Sequence, residues 1–241
     1  RLRSAWPKLG RTDWFSFVVL GLTMLGAWCF LEIADAVAEG GTARVDEFVV
    51  RSLRRADDSS SPVGPAWLGE VVRDLSALGG ITILVLVIAA VVGYLRLRRA
   101  QGAILFVLAA SLGGLFLGTL LKAWFRRPRP NLAPYLTHVA TSSFPSGHTL
   151  NSAVVYLTLG ALLARLSDRG RVKVFIIGWS ILLTFLVGLS RVYLGAHYPT
   201  DILAGWTAGA AWMGFCLLID RRFHLLPRSI ETIASLNHPE N

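Results

Sequence analysis

Charge is scarce in this sequence. Of its 241 residues, 16% are Asp, Glu, Lys or Arg, against about 25% in an ordinary soluble domain. That shortage, with 54% apolar residues, excludes a disordered chain. Cysteine is scarcer still. Cys29 and Cys216 are the two present, each deep in an apolar run, so a disulfide framework is excluded and both read as small buried hydrophobes. Internal repeats and low-complexity tracts are missing. The basic N-terminus is not followed by a small-residue cleavage site, so the first apolar run reads as a retained span rather than a removable signal. Acids are outnumbered, 15 against 24 bases, for a net charge of +9. In a soluble domain such a surplus points to nucleic acid. Here the mean hydropathy of +0.55 overrides that reading, no nucleic-acid partner is expected, and the question becomes where the charge sits relative to a membrane.

What is present is apolar length. A spanning helix needs about 20 apolar residues, with about 17 tolerated. Six segments meet or approach this: 14–38, 79–95, 102–121, 149–164, 174–189 and 202–219. None of the Lys or Arg residues falls inside them, as expected where a charge at the bilayer centre costs about 2.5–3.5 kcal/mol. The connections on one side hold 14 Lys and Arg and those on the other hold ten. The positive-inside rule then puts both termini in the cytoplasm. The one long connection, 39–78, has Val45, Phe48, Val49 and Leu53 at helical spacing, and Trp67, Leu68, Val71, Val72, Leu75 and Leu78 likewise. It reads as two short amphipathic helices on the outer surface, joined by a turn at 57–62. Gly114-x-x-x-Gly118 and Gly205-x-x-x-Gly209 suit close helix contact. The expected fold is all-α: one membrane-embedded domain over 1–241, with six transmembrane helices, short interfacial helices and a cytoplasmic tail at 220–241.

Three polar clusters stand out against this background. Lys122-Ala-Trp-Phe-Arg-Arg-Pro-Arg129-Pro130 follows the third span, Ser143-Phe-Pro-Ser146-Gly147-His148 precedes the fourth, and Ser190-Arg191-Val-Tyr-Leu-Gly-Ala-His197-Tyr-Pro-Thr-Asp201 joins the fifth to the sixth. The derived topology puts all three on the outer face. Guanidinium forks and an ammonium suit phosphate oxygens. Ser146 and Gly147 precede a helix, so their backbone N–H groups and the helix dipole favour an anion. His197 and Asp201 are four apart, so the carboxylate can hold one imidazole nitrogen and leave the other to attack. His148 suits general acid work. Together these describe phosphoryl transfer through a phosphohistidine. Two histidines and an Asp are enough for Zn²⁺, but three adjacent cations oppose a dication, so no metal and no cofactor is expected. Arg126 and Arg127 read as an interfacial flank for lipid headgroups.

Lys-x6-Arg-Pro, Pro-Ser-Gly-His and Ser-Arg-x5-His-x3-Asp, in this order, resemble the three-part signature of the type 2 phosphatidic acid phosphatase family, which vanadium haloperoxidases share. The resemblance spans roughly residues 75–220 and is complete at every motif position. It implies His197 as nucleophile, Asp201 as its partner, His148 as acid for the leaving group, and Lys122, Arg129, Ser146, Gly147 and Arg191 as the phosphate cradle. The haloperoxidases are soluble, so the resemblance favours the membrane branch. The expected protein is a lipid phosphate or diphosphate phosphatase of a bacterial inner membrane with its site on the periplasmic face. Undecaprenyl diphosphate, phosphatidylglycerol phosphate, phosphatidic acid and a lipid A phosphate all suit it. A lipid phosphotransferase using the same site is the alternative. A lipid transporter fits less well, because spans two, three and five carry no mid-span polar residue beyond Ser and Thr.

Overall fold

The computed structural model describes residues 11–130, 142–223 and 225–226. The basic flank at 1–10 and the tail beyond residue 226, both used in the charge count, lie outside the described residues. So does the segment 131–141. The described residues form helices α1 (Arg11–Ala38), α2 (Ala43–Ser52), α3 (Ala66–Ala77), α4 (Ile81–Leu97), α5 (Gln101–Phe125), α6 (Gly147–Arg165), α7 (Gly170–Tyr193) and α8 (Pro199–Phe223). Their ends follow local chemistry. α5 stops where Arg126 turns left-handed (φ 45°) ahead of Pro128 and Pro130. Pro199 opens α8, where its missing N–H would have had no partner.

Five of these helices are long and apolar enough to span a membrane. The sixth expected span takes a different form. α4 has 17 residues, ~26 Å at a rise of 1.5 Å each, short of a hydrocarbon core about 30 Å thick. It reaches span length together with α3, bent by 48° at the break between them. The bend frees the Leu78 carbonyl, which accepts from the Tyr156 hydroxyl of α6 at 2.7 Å, as a backbone group inside a membrane protein requires.

α6 is the central helix. It packs on α5, α7 and α8, while α1 rests on α8 and α3 on α7. Half of its span window is buried in protein, against 11% for α1. This explains why its sequence is the least apolar of the spans. Thr149, Ser152 and Thr158 face neighbouring helices rather than lipid, and Thr158 donates to the Met213 sulfur. Both glycine pairs serve this helix. A Cβ at Gly114 would meet Val154, and one at Gly209 would stand 2.7 Å from the Ala153 Cβ and 3.0 Å from the Leu150 carbonyl oxygen. Trp206 Nε1 donates to the Thr184 carbonyl and Trp212 Nε1 to the Ala110 carbonyl, tying α8 to α7 and α5. Near the end of the bundle that carries the polar clusters, Phe144 is fully buried between Phe125 and Phe30, with ring centroids 4.8 and 6.0 Å away. This aromatic plug seats the segment before α6 against α5 and α1.

The connection 39–78 holds the two short helices expected, and α2 turns one side to the protein and the other away from it. Val45 and Phe48 face outward, 63% and 72% exposed, while Asp46 and Val50 are 0% exposed. The hydrogen bonds Asp46 makes to α8 and to Arg127 decide the orientation.

Candidate functional site

The C-terminal ends of α5 and α7 and the N-terminal ends of α6 and α8 meet at one end of the bundle. They bring together all eight residues singled out from the sequence. His197 and Asp201 are buried. Asp201 Oδ2 lies 3.4 Å from His197 Nδ1, accepts the Tyr198 N–H at 2.9 Å and accepts the Ser143 hydroxyl. Ser143 Oγ is itself 3.3 Å from His197 Nδ1. On the other side of the ring, Arg129 Nη1 sits 3.2 Å from Nε2 and donates to the Ala196 carbonyl at 3.0 Å. A guanidinium has no acceptor, so Nε2 is the accepting nitrogen and the ring proton belongs on Nδ1, shared between Asp201 and Ser143. The geometry thus leaves a lone pair on Nε2, aimed at a cation.

Half-buried groups ring this pair. Lys122 Nζ donates to the Ser142 carbonyl at 3.0 Å. Its side chain lies over Gly147, where an added Cβ would come within 3.3 Å of Lys122 Cε. Arg191 Nη1 donates to Ser76 Oγ of α3 at 2.8 Å. Lys122, Arg129, Arg191 and His197 all lie within electrostatic range of His148, which stands in the first turn of α6. Ser146 caps that helix, its Oγ accepting from the Thr149 N–H and hydroxyl. Its own N–H is committed to the Asp201 carbonyl at 3.0 Å. This corrects one expectation. The Ser146 N–H pins α6 to α8 and is not presented to an anion, so Ser146 has its hydroxyl proton to offer. The arrangement is a cup of three cations and the N-terminus of α6 over a buried imidazole, and it can hold a phosphoryl group against Nε2. Among the described residues, no three His, Cys, Asp or Glu side chains gather to hold a metal ion.

The model of the PAP2 superfamily matches residues 102–224, just over half of the chain. The chain belongs to the PAP2 superfamily. Phosphatidylglycerophosphatase B of Bacillus subtilis is 32% identical over 185 residues, covering 75% of this chain and 85% of its own length. Lipid A 1-phosphatase of Rhizobium johnstonii is 33% identical over 134 residues, 52% of this chain and 50% of its own. The crystal structure of a transmembrane PAP2-type phosphatidylglycerolphosphate phosphatase from Bacillus subtilis superposes with a TM-score of 0.73 at 28% identity, covering 85% of this chain and 96% of that one. These relatives are named as lipid phosphatases, and this chain is a membrane phosphatase of that kind.

The PAP2 site has further members that the sequence reading missed. Arg127, assigned there to lipid headgroups, instead points inward. Its Nη1 donates to Asp201 Oδ1 at 2.7 Å and to Thr200 Oγ1 at 2.8 Å, and its Nη2 donates to Asp46 Oδ2 at 2.7 Å. Burial opposes its charge, but Asp201 and Asp46 outweigh burial and hold the guanidinium above its ordinary pKa. Asp46 also accepts the Thr200 N–H at 3.1 Å and hydroxyl at 2.6 Å, so it supplies an anion to the start of α8 from a distant helix. Nothing in one sequence separates Arg127 from Arg126, which is exposed and donates to the Ala123 carbonyl. Gly195 has a clearer cause. Its φ is 69°, and a Cβ there would stand 2.6 Å from the Arg54 guanidinium, which donates to the Tyr193 carbonyl.

Burial pushes the His197 imidazole down to about 4 from 6.5, against the pull of Asp201, and Arg129 and Arg191 push the same way. Folded His197 stays neutral until the pH falls through about 4, whereas the unfolded chain takes up this proton near pH 6.5. The unfolded state binds more protons across that window, so stability present above about pH 6.5 is lost as the pH falls toward about 4. The thermal midpoint in detergent should drop between about pH 7 and about pH 4.5, and His197→Asn should drop less. An equal drop in both proteins would mean that His197 is not held neutral.

Proposed function

We propose that this phosphatase hydrolyses a lipid phosphate or diphosphate through a phosphohistidine on His197, without a metal ion. The observation that carries the reading is the lone pair of His197 Nε2 facing Arg129, with Nδ1–H held by Asp201 and Ser143. Lys122, Arg129 and Arg191, with the Ser146 hydroxyl and Gly147, cradle the phosphate and neutralise charge as it develops. His197 Nε2 attacks phosphorus, and the bond to the leaving oxygen breaks as His148 gives that oxygen its proton. Asp201 stabilises the charge that appears on the His197 ring. His148, now neutral, takes a proton from water, whose oxygen attacks the phosphohistidine. Phosphate leaves and the lone pair returns to Nε2.

The names of the relatives support a lipid substrate and differ in which lipid. Phosphatidylglycerol phosphate, a lipid A phosphate, undecaprenyl diphosphate and phosphatidic acid all present a phosphate at a membrane surface. A site built at helix ends admits such a headgroup while its chains stay in the bilayer. We place the whole chain, 1–241, in one domain of a plasma membrane, with both termini cytoplasmic and the site outside. The support is the excess of Lys and Arg on the opposite connections.

Two outcomes follow. His197→Ala should abolish turnover of every substrate. His148→Ala should lose about 10²–10⁴-fold on a lipid alkoxide but far less in forming phosphoenzyme from an activated aryl phosphate, whose leaving group needs little protonation. Phosphoenzyme trapped in His197→Ala but missing in His148→Ala would reverse the two roles. For sidedness, the exposed Ser59 and Gln101 serve as probes in a chain whose native cysteines are replaced by Ala. Ser59→Cys should react with a membrane-impermeant maleimide on intact cells, and Gln101→Cys after permeabilisation alone. The opposite pattern would invert the topology.

A further inference from the structure

Resting on that reading, we infer that Asp46 and Arg127 are positioning residues that aim and ionise Asp201, so that α2 sets the state of the nucleophile. The Asp201 carboxylate has two oxygens with separate duties. Oδ2 serves His197, Ser143 and the Tyr198 N–H, while Oδ1 accepts from Arg127. One planar guanidinium therefore bridges two carboxylates, Asp201 on α8 and Asp46 on α2, each 2.7 Å away and each with 0% side-chain exposure. A fork of this geometry fixes the plane of the Asp201 carboxylate, and Arg127 is stacked over the Tyr198 ring, 4.5 Å from its centroid. Asp46 is in turn locked by the Thr200 N–H and hydroxyl. A half-buried arginine between two buried acids leaves a net negative charge on the trio, and that charge faces the Nδ1–H of His197. The chain of contacts runs from α2 through Arg127 and Asp201 to the reacting ring, and neither Asp46 nor Arg127 touches Nε2.

The charged and titratable groups acting on His197 come from four sources: Asp201 on α8, Arg129 after α5, Arg191 on α7 and His148 on α6. Arg127 reaches it through Asp201. Removing the Arg127 cation makes Asp201 more basic and favours imidazolium, so the acid limb of the reaction rises in pH. Lysine keeps the cation but cannot span two carboxylates, so it separates charge from aim.

The test is phosphoenzyme formation from phosphoramidate, a phosphoryl donor whose ionisation is constant between about pH 4 and about pH 7, followed by rapid quench. Arg127→Gln should raise the acid limb by about one pH unit, as for loss of a close opposite charge, and slow the reaction. Arg127→Lys should slow it with the limb unmoved. Asp46→Asn should slow it in the native background and have little further effect beside Arg127→Gln, because Asp46 acts through Arg127. The double variant removes both buried charges together and keeps the test open if Arg127→Gln alone does not fold. An unmoved limb in Arg127→Gln, or an Asp46→Asn effect of equal size in both backgrounds, would overturn the inference and leave the phosphohistidine intact. A native protein that forms no acid-labile phosphoenzyme on His197 would instead overturn the proposed function.

Discussion

A carboxylate with no exposed surface, Asp201, is the constraint on which the site end of the molecule depends. It lies at the first turn of α8, where the helix dipole favours its charge. Its side chain meets Arg127, Ser143, the Tyr198 N–H and His197, while its carbonyl takes the Ser146 N–H that anchors α6. Removing one partner of a buried ion pair costs about 3–5 kcal/mol, because the other charge is left uncompensated. The convergence of α2, α6, α8 and the segments at 126–130 and 142–146 is therefore an electrostatic requirement as much as a packing one.

The rest of the bundle makes such a cluster tolerable inside a membrane protein. α6 tolerates Thr149, Ser152 and Thr158 because they face protein rather than lipid, and the glycines facing it bring α5 and α8 close. Indole N–H and tyrosine O–H groups then satisfy carbonyls on neighbouring helices. Lys122 and Arg191 stand in the last turns of α5 and α7, where the helix ends hold them in place.

Much of this was legible in the amino-acid order. Five spans emerge from apolar length, and the motif residues Lys122, Arg129, Ser146, Gly147, His148, Arg191, His197 and Asp201 converge as expected, because all lie at or just beyond helix ends on one side of the bundle. The misses share a physical cause. α4 reaches full span length together with α3, and the bend between them leaves the Leu78 carbonyl to Tyr156, distant in sequence. Asp46 of α2 has partners on α8 and at Arg127 that no local periodicity reveals. Arg127 looks like any interfacial arginine until its two carboxylates are known. Contacts between residues 74 to 154 positions apart leave no local pattern.

In the proposed mechanism, fixed cations do what a bound metal does elsewhere. Three side-chain charges and the N-terminus of α6 surround the place where phosphate would meet His197. A dication there would be repelled by the same groups. The most direct measurement is release of free phosphate from a long-chain lipid phosphate by the purified protein in detergent with EDTA present. The rate should equal that without chelator. Activity lost with EDTA and restored by Mg²⁺ or Zn²⁺ would contradict the account.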